Sequence, residues 1–337
     1  MKTLNVGVVG CGIFGEVVAD SFAGYHKCRL AAVCDLDEKR AKKLAAKHGC
    51  KHTTSVADIT ADARIEAVAV ATPDFAHRDV CVALAEAGKH VFVEKPLCLD
   101  IAEGEALAAQ ASARGRVLMV GHLLLYHPAF RALAALVRGG ALGRLRYIYS
   151  NRLSLGRIRR EENALWSFAP HDVSMILALA GRLPEAVSAS AGHYLSEGVA
   201  DTTLSHLHFG EELQAHIFVS WLHPYKDQRL VVVGEDAMVL FNDGAAGADK
   251  LLLYRHTAHW DGALPVVDKA EAEPVAYEPG EPLARECEAF LAAVDGAAAP
   301  PSDAAEGLRV LRVLDACQRS IVSGERVALS VAETIDA

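Results

Sequence analysis

The chain has 337 residues, of which 52% are hydrophobic and 23% charged, and its formal net charge is −9. This length allows two domains with cores of their own, and the negative charge argues against a protein that wraps nucleic acid. No apolar run reaches the roughly 18 to 20 residues of a membrane helix, and Met1 leads directly into a charged residue. We therefore expect a cytoplasmic protein with no signal peptide and no membrane partner.

The first 121 residues alternate short apolar runs with amphipathic stretches. The predicted strands are Leu4–Val9, Leu30–Cys34, Ala67–Ala71, His90–Val93 and Val117–Val120. The predicted helices are Phe14–Ala23, Glu38–His48, His77–Ala87 and Ile101–Arg114. Because the apolar runs are nearly continuous in valine and alanine, the pattern is typical of a parallel sheet covered on both faces. We predict a doubly wound α/β nucleotide domain over residues 1–121.

Residues 122–337 have a different character. After a predicted helix at Pro128–Val137, several segments alternate polar with apolar residues, as in an antiparallel sheet with one solvated or partner-covered face. The predicted strands are Leu145–Ser154, Ala186–Tyr194, Thr202–Phe209, Leu213–Trp221, Arg229–Val233, Met238–Phe241 and Leu251–His256. Two predicted helices follow, Leu283–Val294 and Ala304–Val322, and these could pack back on the first domain. We predict a second, α+β domain with a large open, mainly antiparallel sheet.

A glycine-rich loop follows the first predicted strand and opens a helix. Gly10 would permit a tight turn, Gly12 a close approach of the backbone to a pyrophosphate, and Gly15 close helix packing. Asp35 lies twenty-five residues beyond Gly10, where a carboxylate binds ribose hydroxyls and repels a 2′-phosphate. Since no Arg directly follows Asp35, the pattern favours NAD over NADP. The predicted cofactor contacts here are Gly10, Gly12, Ile13, Phe14, Gly15 and Asp35.

Three further cofactor contacts are predicted in the segment ATPDFAH. Thr72 and Pro73 end a predicted strand and would lie beside the nicotinamide half of the cofactor in the usual winding order. His77 either contacts the cofactor or caps the next helix.

Glu94, Lys95 and Pro96 directly follow another predicted strand. A lysine at the carboxyl end of a parallel strand points into the crevice where cofactors bind. Its ammonium can orient a hydroxyl, stabilise a developing alkoxide or, when desolvated, act as a base. We predict Glu94 and Lys95 as cofactor contacts and Lys95 as a catalytic residue; the alternative is a surface lysine paired with Glu94. The bond to Pro96 could be cis.

His171 is the second catalytic candidate. Pro170 suits the first turn of a helix, so we predict that His171 and Asp172 open a helix that continues to Leu179. An imidazole there is suited to take a hydroxyl proton while hydride leaves the same carbon. A histidine near a helix start is also frequently a satisfied structural group.

The motifs together resemble the Gfo/Idh/MocA oxidoreductase family across nearly the whole chain. They are GCGIFG, ATPDFAH, VFVEKP, the GH of Gly121 and His122, and the downstream His171. The resemblance implies an NAD(P)-binding Rossmann domain joined to a domain whose open sheet serves oligomerisation. It implies oxidation or reduction of sugars, inositols or nucleotide sugars, with Lys95 and His171 as the catalytic lysine and histidine.

The sequence departs from one common pattern of that family. Many members carry DxGxHxxD around the histidine, whereas Ser167, Ala169 and Ser174 occupy the first Asp, the Gly and the last Asp positions here. This departure weakens the resemblance to inositol dehydrogenases in particular.

The segment 151–174 is most similar to family members that oxidise the C3 hydroxyl of UDP-N-acetylglucosamine. Its arginines offer forks for a diphosphate, and its Asn and Trp could meet an amide or a ring face. The predicted substrate contacts are His122, Arg152, Arg157, Arg159, Arg160, Asn163, Trp166 and Asp172. A solvated basic loop is the alternative interpretation of the arginines.

The expected activity is NAD-dependent oxidation of a UDP-sugar, a small-molecule substrate. Lys95 and His171 would meet over the reactive ring of the cofactor and handle the hydroxyl proton between them. Oxidation of UDP-N-acetylglucosaminuronate, or of another sugar or an inositol, is the nearest alternative. A regulator that binds NAD without chemistry is an alternative of another class.

The predicted second-domain sheet leaves a wide face for assembly. His206, His208, His216 and Trp221 occupy alternate positions on it. No third metal ligand accompanies His206 and His208, and the eight cysteines lack metal-ligand spacing, so we predict no metal site. We predict instead that sheets pack together in a homodimer or homotetramer.

Overall fold

The structure is a computed structural model that describes residues 3–156, 158–160 and 162–329. The chain divides into two compact units. The first comprises the chain up to Tyr126 together with Gly280–Leu311, and the second comprises His127–Pro279 together with the chain from Arg312 onward. The predicted boundary after residue 121 therefore lies five residues before the division in the structure, which also returns residues 280–311 to the first unit.

The first unit contains a six-stranded parallel sheet with the order β3-β2-β1-β4-β5-β6. Its strands are β1 (Leu4–Val9), β2 (Cys28–Cys34), β3 (Lys51–Thr53), β4 (Ala67–Val70), β5 (His90–Glu94) and β6 (Leu118–Gly121). Its first helices are α1 (Ile13–Gly24), α2 (Glu38–His48), α3 (Val56–Ala61), α4 (His77–Glu86) and α5 (Ile101–Ala113). This confirms the predicted doubly wound sheet, whose strand order reverses between β1 and β4, the position at which such folds bind ligands.

Local signals explain both ends of α2. The carboxylate of Asp37 accepts hydrogen bonds from the backbone of Lys39 and Arg40 at the start of α2, and Gly49 ends that helix with a left-handed φ of 63°. The prediction omitted β3 and α3. The three residues of β3 are Lys, His and Thr, so they carry no apolar run.

The second unit contains a nine-stranded sheet with the order β16-β13-β12-β11-β7-β10-β9-β8-β17. These strands are β7 (Leu145–Leu155), β8 (Ala186–Gly192), β9 (Thr202–His208), β10 (Gln214–Ser220), β11 (Leu222–Gly234), β12 (Met238–Asn242), β13 (Leu251–Tyr254), β16 (Glu273–Pro274) and β17 (Val327–Ala328). A separate hairpin is formed by β14 (Thr257–Asp261) and β15 (Leu264–Asp268). The pairs are antiparallel except β7 with β10, which confirms a mainly antiparallel sheet.

Two helices of the second unit precede and follow β7: α6 (Pro128–Arg138) and α7 (Ala164–Ala180). Helix α7 packs against β7, β9 and β10. The prediction that a helix opens at His171 is wrong, because α7 begins seven residues earlier and contains Pro170 in its interior. Apolar residues on both sides of Pro170 are buried, among them Leu165 and Val173, so packing outweighs the cost of an interior proline.

The last two helices are α8 (Pro282–Val294), in the first unit, and α9 (Ala304–Ser323), within which the division between the units falls. Phe290 on α8 packs against Phe22 and Phe92, with ring centroids 6.1 and 5.9 Å away. These edge-to-face and tilted contacts form part of the core between α8, α1 and β5. Over the described residues, no helix is long and apolar enough to cross a membrane.

Candidate active site

Two of the three glycines in the loop between β1 and α1 stand where there is room for backbone only. Gly10 has a φ of 96°, and a Cβ there would lie 2.5 Å from the carbonyl oxygen of Ala71. A Cβ on Gly15 would lie 1.8 Å from the carbonyl oxygen of Gly10. A Cβ on Gly12 would meet nothing within 4 Å. Gly10 and Gly15 thus allow close packing, while Gly12 borders the open space in front of the helix.

The amino end of α1 meets the requirements of a pyrophosphate site. Gly12 is the N-cap, and among the described residues no side chain caps the helix. The first amides of a helix have no intrahelical acceptor and favour an anion. Ile13 and Phe14, which follow directly, are 83% and 39% exposed, so apolar surface lies beside these amides.

Asp35 lies at the end of β2 beside this loop. Its carboxylate accepts hydrogen bonds from the backbone N–H of Cys11 at 2.7 Å and of Asp37 at 2.8 Å, one on each oxygen. A carboxylate oxygen accepts more than one hydrogen bond, so Asp35 retains capacity for ribose hydroxyls. Its negative charge also matches the predicted preference for a ribose without a 2′-phosphate.

Thr72 and His77 follow β4 in the chain, and their side chains differ in their hydrogen-bond partners. The Thr72 hydroxyl is buried and makes no hydrogen bond in the described part of the chain, which makes it available to a ligand. His77 is 1% exposed, with Nδ1 2.7 Å from the carbonyl oxygen of Pro96 and Nε2 2.9 Å from that of Thr72. Burial lowers the pKa of His77. The cofactor contact predicted for His77 is therefore corrected: it joins the loops after β4 and β5. Pro73 is exposed.

Glu94 and Lys95 stand at the carboxyl end of β5, in the first unit. Glu94 pairs with Gly121 of β6, and a Cβ on that glycine would lie 2.8 Å from Glu94 Oε1. The Glu94 carboxyl thus occupies the space that a side chain at position 121 would fill, and its contact with the cofactor stays a prediction. Burial raises the pKa of this carboxyl to about 8, although the Lys95 charge lowers it. The Lys95–Pro96 peptide is cis.

His122 is also placed in the interior of the first unit. It is 1% exposed, and its Nδ1 lies 2.5 Å from a carboxylate oxygen of Glu306 on α9. Tyr126 lies nearby, with its hydroxyl 2.9 Å from that of Ser302. The structure therefore corrects the predicted substrate contact of His122, because the imidazole is buried and contacts Glu306 instead.

Arg152 and Asp172 form a buried ion pair in the second unit. Arg152 Nε donates to Asp172 Oδ2 at 2.7 Å and Nη2 to Oδ1 at 3.2 Å, while Ser150 donates to Oδ1 at 2.5 Å. Burial lowers the pKa of Arg152, but the Asp172 charge and hydrogen bond outweigh it and the net shift is upward. Asp172 is fully buried. Both predicted substrate contacts are therefore corrected: the pair ties β7 to α7.

Asn163 and Trp166 share one partner at the start of α7. The Asn163 side chain accepts from the backbone of Trp166, as an N-cap, and its amide nitrogen donates to Gln318 Oε1 at 2.8 Å. Trp166 Nε1 donates to the same oxygen at 3.2 Å. Asn163 is thus corrected to a helix cap, and the Trp166 indole nitrogen has an internal partner.

The basic segment between β7 and α7 is exposed where the structure describes it. Arg159 lies 2.7 Å from Glu162, with 43% of its side chain exposed, and Arg160 is exposed. Arg157, also predicted to bind the diphosphate, lies outside the described residues. The diphosphate contacts of Arg159 and Arg160 stay predictions.

His171 is half-buried on α7 and directly precedes Asp172, the residue that forms the ion pair with Arg152. The hydroxyl of Ser174 donates to its carbonyl oxygen at 3.2 Å. The ion pair on Asp172 therefore anchors the turn that carries the imidazole.

Three polar residues beside or in contact with the candidate residues were not predicted from the sequence. Glu286 on α8 and Glu306 on α9 are buried next to the predicted residues, and Gln318 holds Asn163 and Trp166. An acidic residue on the apolar face of a predicted helix, as at Glu286, was the available signal. Gln318 carries no comparable signal.

Comparison with known proteins agrees with this arrangement. Residues 4–122 match the Gfo/Idh/MocA profile, described as an oxidoreductase family with an NAD-binding Rossmann fold, and residues 130–240 match the Gfo/Idh/MocA C-terminal domain. UDP-N-acetylglucosamine 3-dehydrogenase of Acidithiobacillus ferrooxidans is 29% identical over 92% of this chain and 95% of its own length. Inositol 2-dehydrogenase of Rhizobium meliloti is 28% identical over 97% and 100%.

A solved structure extends the likeness to a cofactor complex. GenD2 from gentamicin A biosynthesis, in complex with NAD, has a TM-score of 0.84 and 25% identity, and the match covers 98% of this chain and 97% of that one.

Proposed function

Since the chain belongs to the Gfo/Idh/MocA oxidoreductase family and its cofactor is NAD, we propose that it oxidises the C3 hydroxyl of UDP-N-acetylglucosamine to the 3-keto sugar. The observation that carries the chemical part is Lys95, which follows β5 at the edge of the sheet where the glycine-rich loop and Asp35 also lie. The likeness to the Acidithiobacillus enzyme over nearly the full length of both chains supports the proposed substrate.

The residues of the first unit fit NAD. The amides at the start of α1 would hold the pyrophosphate, Asp35 the adenosine ribose, and the unpartnered Thr72 hydroxyl would donate to the nicotinamide half. When bound, NAD supplies the hydride acceptor, and the protein contributes binding, orientation and charge.

Lys95 and His171 handle the proton of the reacting hydroxyl in this proposal. One accepts the proton as the C3–H bond is broken, and the other orients the oxygen by a hydrogen bond. The Arg152–Asp172 pair holds the helix turn of His171 in place. Arg159 and Arg160 bind the diphosphate, because exposed guanidinium groups on one short segment suit phosphate oxygens.

An inositol is the second candidate substrate, since the Rhizobium enzyme matches this chain over its whole length. Against it, Ser167 and Ser174 stand where many family members carry Asp. UDP-N-acetylglucosaminuronate is a third candidate, which would call for another cation near C6.

A substrate panel tests the proposal. Purified protein with NAD would be given UDP-N-acetylglucosamine, UDP-N-acetylglucosaminuronate, free N-acetylglucosamine and myo-inositol, and NADH formation would be followed by absorbance. We expect the highest kcat/KM with UDP-N-acetylglucosamine. Higher activity with myo-inositol would overturn the substrate assignment, and tight NAD binding without NADH from any sugar would support a regulator.

Two substitutions test the catalytic residues. Lys95→Ala and His171→Ala should each lower kcat by roughly 100- to 10,000-fold, the usual contribution of proton handling, with the Kd for NAD nearly unchanged. Lys39→Ala and His259→Ala replace the same residue types at exposed positions and serve as matched controls. Unchanged turnover in both active-site variants would remove this assignment.

A further inference from the structure

Strand β11 is irregular where it runs beside the end of β7. Leu222 pairs with Leu155 and Asp227 with Leu153. The four residues of β11 between these pairs therefore stand opposite one residue of β7. Extra residues on one strand form a β-bulge, which re-aims side chains and is frequent beside active sites. We call residues 223–226, with the sequence HPYK, the β11 bulge.

The β11 bulge is held at its base and by its own side chains. The carboxylate of Asp227 accepts hydrogen bonds from Asn151 Nδ2 on β7 at 3.0 Å and from Arg229 Nη2 at 2.7 Å. Within the bulge, His223 Nδ1 donates to the carbonyl oxygen of Tyr225 at 2.9 Å. The two rings also pack edge to face, with centroids 4.5 Å apart and an angle of 74° between their planes. These contacts hold the Tyr225 ring in one orientation.

The end of the sheet that carries the β11 bulge exposes several large apolar side chains. Tyr225 is 60% exposed, Leu155 at the end of β7 is 75% exposed, and Ile158 is 48% exposed. The backbone N–H of Gly156 donates to the carbonyl oxygen of Trp221 at 3.2 Å, so the chain after β7 leaves the sheet beside the bulge. Single exposed apolar side chains are ordinary, but several in one place mark a surface that binds a ligand or a partner.

The same end of the sheet carries positive charge. Arg159 follows β7 and has 43% of its side chain exposed, although it also pairs with Glu162. Arg160 is exposed on the same segment, and Lys226 is exposed on the β11 bulge. An aromatic ring beside guanidinium and ammonium groups matches a nucleoside diphosphate, which presents a flat base and two phosphates.

We propose that the β11 bulge is the uridine subsite of the UDP-sugar. The Tyr225 ring stacks on the uracil, and Lys226 binds the diphosphate together with Arg159 and Arg160. His223 is a positioning residue, because it acts through the tyrosine ring that it packs against. This inference rests on the proposed UDP-sugar substrate and states where its nucleotide is held.

Binding of UDP tests the subsite without any turnover. NAD at saturating concentration would fill the cofactor site, and the Kd of UDP would be measured by calorimetric titration. Loss of the stacking ring in Tyr225→Ala should weaken UDP binding by about 5- to 150-fold, and Tyr225→Phe should retain most of the affinity. Tyr194→Ala removes a tyrosine that is 70% exposed in the same unit and should leave the Kd unchanged.

Inorganic pyrophosphate separates recognition of the base from recognition of the phosphates. It has no ring to stack, so Tyr225→Ala should leave its Kd unchanged. Lys226→Ala should weaken UDP and pyrophosphate by similar factors, whereas Lys269→Ala, at another exposed lysine, should weaken neither. Equal weakening of UDP and pyrophosphate in Tyr225→Ala would indicate a general structural change and overturn the stacking role.

These measurements distinguish failure of the subsite from failure of the proposed function. If UDP-N-acetylglucosamine is oxidised but Tyr225→Ala binds UDP as tightly as the wild type, the subsite is overturned and the function stands. If UDP binding depends on Tyr225 but no UDP-sugar is oxidised, the subsite stands and the function fails. If Tyr225→Ala changes the sedimentation of the protein and not its affinity for UDP, the exposed ring belongs to an interface with a second copy, and the subsite is overturned.

Discussion

The glycine-rich loop before α1 and the start of α7 differ in how well the sequence predicts the surroundings of their residues. At the loop, positions 10 and 15 require glycine because backbone carbonyls lie where a Cβ atom would be. At α7, polar side chains expected to face substrate instead bind internal partners: Asn163 and Trp166 bind Gln318, and Asp172 binds Arg152. The glycine pattern that marks the loop is local in sequence, whereas the side-chain partners at α7 lie 20 or more residues away, so the first region could be predicted and the second could not.

The largest loss of stability is expected from Arg152→Ala, which removes the partner of Asp172 on α7. Removing one partner of a buried ion pair leaves Asp172 charged and uncompensated, which costs about 3 to 5 kcal/mol of unfolding free energy. Urea denaturation measures it. Arg159→Ala removes a guanidinium that is 43% exposed and should cost less than Arg152→Ala, although its partner Glu162 is 8% exposed. A nearly unchanged stability for Arg152→Ala with a raised KM would return Arg152 to the substrate site.

At the loop, Gly15→Ala should be more damaging than Gly12→Ala. The new Cβ on Gly15 collides with the Gly10 carbonyl, and such overpacking costs about 1 to 3 kcal/mol. Gly12→Ala meets open space and should cost at most about 1 kcal/mol, as for an unfavourable N-cap. It should still weaken NAD binding, because a methyl group would border the pyrophosphate. Calorimetric unfolding and NAD titration check both; equal stability of the two variants would contradict the packing argument.

A third prediction concerns pH. The Glu94 pKa is raised from 4.5 to about 8 in the folded protein, so between these values the folded state holds a proton that the unfolded state lacks. Stability therefore falls as pH rises through this window, with a slope of about 1.4 kcal/mol per pH unit from this one group. Glu94→Gln should flatten the decline. Urea unfolding at a series of pH values checks it, and parallel curves for wild type and variant would count against it.

The smallest effect is expected from Asn163→Ala. Loss of the N-cap should cost about 1 kcal/mol, measured by thermal unfolding, with KM for the UDP-sugar unchanged. Asn163→Asp keeps the cap acceptor and should retain most of the stability. A several-fold rise in KM for Asn163→Ala at unchanged stability would instead support the contact with substrate that the sequence suggested.

The fold could be predicted because its signals are periodic and local. The alternation of strands and helices predicted the parallel sheet, and α8 and α9 begin and end within one residue of expectation. The start of α7 could not be predicted, since Pro170 usually marks a first turn and only packing against β7, β9 and β10 overrides it.

The candidate site was predicted unevenly for the same reason. Gly12 and Asp35 lie where the motif implies, because short loops position them. The position of His122 was not predicted because its partner, Glu306, is 184 residues away. The position of His77 was not predicted because its partners are backbone carbonyls, those of Pro96 and Thr72, which residue types do not reveal. Long-range partners of polar side chains leave no mark in the local pattern.

Transfer of label from substrate to cofactor tests the central claim most directly. The protein would be incubated with NAD and UDP-N-acetylglucosamine that carries deuterium at C3, and the NADH and the sugar would be analysed by mass spectrometry. We expect one deuterium in the NADH and a 3-keto UDP-sugar, and we expect neither product with Lys95→Ala. NADH without deuterium, or no NADH from the labelled sugar when a parallel incubation with myo-inositol does form NADH, would contradict it.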